Sequence, residues 1–196
     1  MTHKILITGG GGFIGTNLYN ELVSRGNKVI RSDYYNSNKS NFIRCDVSNI
    51  RQVEEVFKKY GNFDYVYHLA AEYGRWNGED FYENLWSTNA IGTKNIIRIQ
   101  EKLKFKLIFF SSAEVYGDFD GEMSEKVMFN NPISDTYQMN DYAISKKVNE
   151  MQIKNSQIMY DTKTVLIRIF NTYGPGEWYH PFRSVNCLFT YNLLHN

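Results

Sequence analysis

Long apolar runs are missing from this sequence, and so is a surplus of either charge. The stretch from Met1 to Thr8 is one polar turn followed by a short apolar run, far too brief for a secretory leader or a bilayer span, so a cytoplasmic address is expected. Lys and Arg number 22 against 21 Asp and Glu, a net charge of +1, which provides no electrostatic footprint for a nucleic-acid backbone or an anionic membrane. Any anionic ligand must therefore be held locally. Cysteine is nearly absent. Cys45 and Cys187 lie far apart, with no C-x-x-C or His-rich spacing, so neither a zinc site nor a disulfide framework is indicated, and both are expected to be small buried hydrophobes. No internal repeat or low-complexity tract stands out.

What is present is ordinary globular material. A chain of 196 residues with 42% hydrophobic residues can bury one sizeable core. Its 15 Tyr and 13 Phe suit a cleft as well as a core and decide little. Short β-branched and aromatic runs at Lys4 to Thr8, Lys28 to Ser32, Tyr65 to Ala70, Lys106 to Ser111 and Thr164 to Ile169 read as strands, each apolar enough to be covered on both faces. Between them, Phe13, Ile14, Leu18 and Leu22 recur at helical spacing, as do Val53, Val56 and Phe57, and then Ile91, Ile96, Ile97 and Ile99. Alternation of this kind predicts right-handed β-α-β crossovers and an α/β doubly wound parallel sheet. Two polar, turn-rich segments, Glu72 to Glu83 and Gly117 to Asp141, break the rhythm just after strand ends, where open α/β sheets place their ligands.

The first strand runs into Gly9-Gly10-Gly11-Gly12-Phe13-Ile14-Gly15, after which a helix begins. Glycines there permit a tight turn, let the backbone approach a pyrophosphate and allow close helix-on-strand packing, while the helix's first amides face the anion. The strand-turn-helix context raises this from a flexible loop to a dinucleotide site. Asp33, 18 positions after Gly15, ends the second strand. A carboxylate there accepts from both ribose hydroxyls and repels a 2'-phosphate, which favours NAD over NADP, although Arg31 and Ser32 weaken that inference. A solvated turn residue is the alternative for Asp33.

The run Thr8 to Gly15 resembles the opening of the extended short-chain dehydrogenase/reductase family, with Gly9, Gly12 and Gly15 at its G-x-x-G-x-x-G positions. Further matches follow in the family's order: Cys45-Asp46-Val47, His68-Leu69-Ala70-Ala71, Asn89 with Gly92-Thr93, Ser111 to Gly117, Tyr142-Ala143-Ile144-Ser145-Lys146 and Arg168 to Pro175. The resemblance implies a Rossmann-type NAD-binding domain over residues 1–170 and the start of a substrate-binding region over 171–196. It implies that Gly9, Gly12, Phe13, Ile14, Gly15, Asp33, Asp46, Val47, Leu69, Ala70, Ala71, Asn89, Tyr142 and Lys146 meet the cofactor, Asp46 and Val47 at the adenine and Lys146 at the nicotinamide ribose. Asn89 would help shape the central sheet, and taken individually it and His68 read as structural, satisfying neighbouring backbone groups. A homodimer, formed through the helices following Asn84 and Asn140, stays open.

Tyr142 and Lys146, four apart, lie on one face of a helix. A free phenol titrates near pH ~10, so a tyrosine base near neutrality needs its anion favoured by about three units, roughly 4 kcal/mol. By resemblance, Lys146 and oxidised nicotinamide supply this, Tyr142 removes a proton from a sugar hydroxyl, and Ser112 hydrogen-bonds the reacting oxygen. The family's dehydratases resemble Thr-Asp-Glu at the place where this chain has Ser112-Ala113-Glu114, and its decarboxylases Thr-Ser-Glu. Ala113 cannot donate a proton, which disfavours the usual dehydratase route. Epimerisation at C4 needs neither carboxylate, whereas Glu114 could abstract a proton beside a 4-keto group, or be an ordinary loop residue. Substrate contacts are expected from Glu72, Arg75, Ser112, Asn171 and Arg183. His180 is not expected to be a base.

Family members usually run on the order of a hundred residues further, so much of the nucleotide-diphosphate sugar pocket is expected to be missing, and the chain is expected to end inside an amphipathic helix beginning near Pro181. Two other readings stay open: a non-catalytic NAD-binding module, and a compact short-chain alcohol or ketone reductase.

Overall fold

The apolar runs pair side by side in a single parallel sheet. The computed structural model describes residues 2–73, 81–130, 136–181 and 184–195. Among them six strands, β1 (Lys4–Thr8), β2 (Lys28–Asp33), β3 (Phe42–Arg44), β4 (Tyr65–His68), β5 (Lys106–Ser112) and β6 (Thr164–Ile169), lie in the order β3-β2-β1-β4-β5-β6. The chain winds outward from β1 to one edge, then returns and winds to the other. That reversal between β1 and β4 opens a crevice beyond the carboxyl ends of the strands. The sixth strand, β3, was not anticipated: its three residues are too few for a periodic signal, and it is held by register with Arg31 to Asp33 of β2. β4 stops at His68 rather than Ala70, because Leu69 and Ala70 turn in against the glycine loop.

The helices are α1 (Phe13–Ser24), α2 (Ile50–Tyr60), α3 (Tyr82–Trp86), α4 (Gly92–Leu103), α5 (Glu125–Asn130), α6 (Asp141–Tyr160) and α7 (Val185–His195), with a π-helical turn at Ser87–Ile91 and a 3-10 turn at Ala113–Tyr116. Side chains alternate across a strand, so β1 feeds two layers. Leu6 joins Val66, Leu107 and Phe109 beneath Val53, Val56 and Phe57 of α2, Ile96 and Ile97 of α4 and Ile153 of α6. Ile5 and Ile7, with Val29, face the other way onto Leu18, Tyr19 and Leu22 of α1. Full burial of each such side chain contributes about 1.5–3 kcal/mol. Local signals set the ends of α2 and α6: Asn49 Oδ1 accepts from Arg51 N at 3.1 Å, Gly61 follows α2 with φ 72°, and Asn140 Oδ1 accepts from Ala143 N at 2.8 Å.

Three expectations need correction. β6 is not covered on both faces: Val165 and Leu166 are exposed on an edge strand that has a neighbouring strand on one side only. The last helix starts at Val185 and none of its residues is buried, its apolar side chains lying around the cylinder rather than along one stripe. Cys45 is buried, whereas Cys187 on α7 is only half-buried, its thiol near the Trp178 carbonyl at 3.8 Å.

Candidate active site

The glycine turn closes at the crevice. Gly9 has φ 68°, and a Cβ there would come within 2.7 Å of Ala70 N, so only glycine lets β1 turn against the chain leaving β4. At Gly15 a Cβ would lie 2.2 Å from Gly9 O, so α1 can start this close to the strand only without a side chain. At Gly12, the residue before α1, no side chain caps the helix and its first turn holds no acid. The first amides, at Phe13 and Ile14, thus carry the helix's partial positive charge toward the turn. Asp33 stands at the end of β2 and accepts from Gly11 N at 2.9 Å and Tyr34 N at 2.9 Å. Burial pushes its carboxyl up, and those two amides pull it back down. An uncapped helix end, a side-chain-free cradle and a ribose-side carboxylate together fit a dinucleotide.

Around this turn, Thr8 Oγ1 lies 2.6 Å from His68 Nδ1, and His68 Nε2 lies 3.1 Å from Thr93 Oγ1, tying β1, β4 and α4 together. Burial, then the charge of Lys146, lowers the His68 pKa to about 3, so this imidazole is neutral. Asn89, in the π-helical turn, accepts from Glu72 N at 2.8 Å and donates to Glu72 O at 3.2 Å and to Ser145 Oγ at 3.0 Å. It therefore fixes the segment Leu69-Ala70-Ala71-Glu72 to helix α6. Asp46 accepts from Ser48 N and Oγ, and Val47 is buried where a Cβ on Gly92 would strike it at 2.6 Å.

The chemical groups sit one strand further along. β5 ends at Ser112, whose hydroxyl accepts from Glu114 N at 3.2 Å and lies close enough to the phenol of Tyr142 on α6 to pull its pKa down. Lys146 is buried, and its Nζ donates to Phe110 O at 2.9 Å, 5.6 Å from the Tyr142 ring centroid. Glu114 accepts from Asn140 Nδ2 at 2.9 Å, so the residue that caps α6 also holds this carboxylate. The Tyr73 ring lies edge-on to Tyr142 at 6.3 Å. One expectation fails here. Lys146 does not hold the phenol low: burial, and then the Glu114 charge, push Tyr142 well above its usual value, and only the Ser112 hydrogen bond pulls it down. Lys146 is itself lowered to about 8 by burial, partly offset by Glu150.

The structure thus brings Ser112, Glu114, Tyr142 and Lys146 together at the sheet's carboxyl edge, with Glu72 tied into their surroundings through Asn89. Asn171 is exposed on the loop after β6, and that loop leans back on α1 through Asn17 Nδ2 and Pro175 O at 2.9 Å. Arg75 and Arg183 lie outside the described residues. Sequence reasoning missed Glu150 and the double duty of Asn140. For Glu150 a signal existed, since it stands four residues beyond Lys146, as Lys146 stands beyond Tyr142.

A profile of an established protein family matches residues 5–191, nearly the whole chain and all of the groups above. The chain belongs to the NAD dependent epimerase/dehydratase family. Among curated relatives, a UDP-N-acetyl-alpha-D-glucosaminuronate decarboxylase of Bacillus cytotoxicus is 32% identical over 192 residues, covering 94% of this chain and 59% of that protein. Among solved structures, the Thermus thermophilus UDP-glucose 4-epimerase in complex with NAD is 27% identical with a TM-score of 0.79, over 90% of this chain and 58% of that one. The Thermotoga maritima UDP-glucose 4-epimerase with UDP-glucose is 27% identical with a TM-score of 0.83, over 97% and 63%. The chain therefore spans less than two thirds of the length of these relatives. Among the described residues, no helix is long and apolar enough to cross a membrane and no cluster of metal-ligating side chains occurs.

Proposed function

We propose that this chain forms the NAD-binding, redox part of an enzyme acting on a nucleotide-diphosphate sugar, which it oxidises at C4 to a ketone and later reduces again. The observation that carries the reading is the convergence of Ser112, at the carboxyl end of β5, with Tyr142 and Lys146, one turn apart on α6, beside the glycine-lined crevice. Residues 1–170 are read as the NAD-binding unit and 171–196 as the start of the substrate side. Gly9, Gly12, Gly15 and the first amides of α1 would hold the pyrophosphate, and Asp33 the adenosine ribose, exchanging its bond from Gly11 for ribose hydroxyls. NAD, when bound, supplies the hydride acceptor and donor, and in its oxidised form a positive charge that offsets the push of burial on the nearby phenol.

In the oxidation, the phenolate oxygen of Tyr142 takes the proton of the C4 hydroxyl while Ser112 donates to the same sugar oxygen as the C=O bond forms. Lys146 alone does not hold the phenol low, and its charge would favour the phenolate together with that of oxidised NAD. In the reduction Tyr142 returns that proton. Return of hydride to the opposite face gives epimerisation, which requires no further acid or base, and Ala113 removes the acid of the usual dehydration. Decarboxylation is the second reading, favoured by the Bacillus cytotoxicus relative. With a carboxylate on C5, the 4-ketone makes the sugar a β-keto acid, whose C–C bond electrons pass into the ketone as CO2 leaves. Both outcomes share the Tyr142 step. Glu72 and Asn171, with Arg75 and Arg183, would meet the sugar nucleotide.

The test pairs calorimetry with product analysis. NAD should bind the wild-type chain and bind Tyr142→Phe within about twofold, while turnover of UDP-, dTDP-, GDP- or CDP-sugars, followed by mass spectrometry and NMR, falls ~10²–10⁴-fold in the variant. Unchanged mass names epimerisation, and loss of CO2 names decarboxylation. Undiminished turnover in Tyr142→Phe, or no NAD binding, defeats the reading.

A further inference from the structure

Neither the cofactor cradle nor the proton transfer uses Glu150, yet this carboxylate is buried to 2% exposure beside them. It follows Tyr142 and Lys146 along α6 at the same four-residue interval, so the three side chains form one stripe facing β5 and β6. Three donors hold it there. Ser111 Oγ donates to Oε1 at 2.6 Å, Arg168 Nε donates to Oε1 at 3.0 Å, and Arg168 Nη2 donates to Oε2 at 2.8 Å. Ser111 and Arg168 are register partners on β5 and β6, so the two-pronged grip is built into the sheet. A carboxylate held in this fork does not swing over to capture the lysine ammonium, which instead bonds the Phe110 carbonyl, one residue from Ser111.

We propose that Glu150, locked by Arg168 and Ser111, is a positioning residue that keeps Lys146 protonated without binding it, and so leaves the ammonium free to serve the Tyr142 phenol. This rests on the Tyr142–Lys146 pair being the redox acid-base machinery. The groups around Lys146 support it. From its own helix come Tyr142 and Glu150, from β4 the neutral His68, from β5 the Phe110 carbonyl and the Phe109 ring at 5.2 Å, and from β6 Arg168 behind Glu150. The turn after β5 faces the neighbours of Lys146 instead: Glu114, held by Asn140, acts on Tyr142, and the Tyr116 hydroxyl accepts from Arg168 Nη1 at 3.4 Å. Glu150 is the charge that opposes the loss of the Lys146 proton caused by burial. Removing one member of such a buried pair leaves the other uncompensated, so the two removals act on Lys146 with opposite sign.

The titration of Lys146 can be followed directly in the 196-residue chain by NMR of lysines labelled at the ε-carbon, with the resonance assigned by its loss in Lys146→Arg. Glu150→Gln, which leaves Arg168 unpaired, should lower the Lys146 midpoint by about one pH unit, a tenfold change in proton affinity. Arg168→Met, which leaves Glu150 unpaired, should raise it by about half a unit or more. Glu150→Asp keeps the charge and should leave the midpoint within about 0.3 units of wild type. The double variant Glu150→Gln, Arg168→Met removes both charges, relieves any failure of a single variant to fold, and should fall between the two. Shifts in the same direction, or a midpoint indifferent to all of these changes, overturn the proposal and leave Glu150 a purely structural ion pair. The titration needs neither NAD nor sugar. Opposite shifts accompanied by full turnover in Tyr142→Phe would thus retain the electrostatic coupling while removing the catalytic reading.

Discussion

Helices α6 and α7 invert the usual relation between polarity and burial. α6 buries Ala143, Ser145, Lys146, Asn149, Glu150, Ile153 and Ser156, mostly polar residues, and exposes Met151, Ile158 and Met159. α7 is rich in apolar residues, yet Val185, Phe189, Leu193 and Leu194 are exposed and none of its residues is buried. The difference lies in what each helix meets. α6 runs along β5 and β6, and most of its buried polar groups find partners: Ser145 with Asn89 at 3.0 Å, Lys146 with Phe110 O at 2.9 Å, Glu150 with Arg168 at 2.8 Å and Ser156 with Thr162 at 3.2 Å, Asn149 Nδ2 being an exception. α7 meets chiefly its own approach, through the Tyr191 ring stacked on Tyr179 at 3.6 Å and on His195 at 4.1 Å. Largely satisfied polar burial thus marks the working helix better than apolar content does.

Acid should break this contrast most strongly. His68 sits beside Lys146 with its pKa lowered from 6.5 to about 3, so between those values the unfolded chain binds a proton that the folded chain refuses. Its contribution to stability is therefore complete above pH 6.5 and is lost as pH falls toward 3, by roughly 4 kcal/mol at the lower end. Urea unfolding midpoints across this range should fall less steeply in His68→Gln than in the wild type, and equal slopes would refute the account. Next in size, Ile153→Ala empties a site on α6 that is 1% exposed and packed against the core, at a cost of about 3 kcal/mol in the same assay. Smaller again is the cap. Asn140→Ala should cost about 1 kcal/mol globally, whereas Ser184→Ala, which removes the acceptor of Cys187 N at 3.3 Å, should only fray α7, as seen by amide exchange.

The parts of this molecule legible in the sequence were those where one local cause dominates. A glycine run between an apolar strand and a helix admits few backbone solutions, so Gly9, Gly12 and Gly15 fell where expected, and the apolar runs of β1, β2, β4 and β5 gave the middle of the sheet. β3 escaped because its three residues are held by β2 rather than by any pattern of their own. The four-residue spacing of Tyr142 and Lys146 was visible, but the direction of the tyrosine's shift was not. That depends on how deeply α6 presses the phenol against the sheet and on Asn140 holding Glu114 beside it. β6 misled for a related reason, since an apolar strand at an edge has the composition of a covered one.

The smallest effect separates the two helices most cleanly. Leu193 on α7 is 84% exposed, so in this chain its side chain loses little contact with water on folding. Leu193→Ala should therefore change unfolding stability by less than about 0.5 kcal/mol, against several-fold more for Ile153→Ala, although the two side chains are equally apolar and α7 is the more apolar helix. A drop of 2 kcal/mol or more in Leu193→Ala at low protein concentration would mean that the leucine is covered in the folded chain. Dependence of that drop on protein concentration would locate the cover in a second molecule, because only a bimolecular contact responds to mass action. Either result would make α7 a packed element like α6, and composition would again predict burial at this end of the molecule.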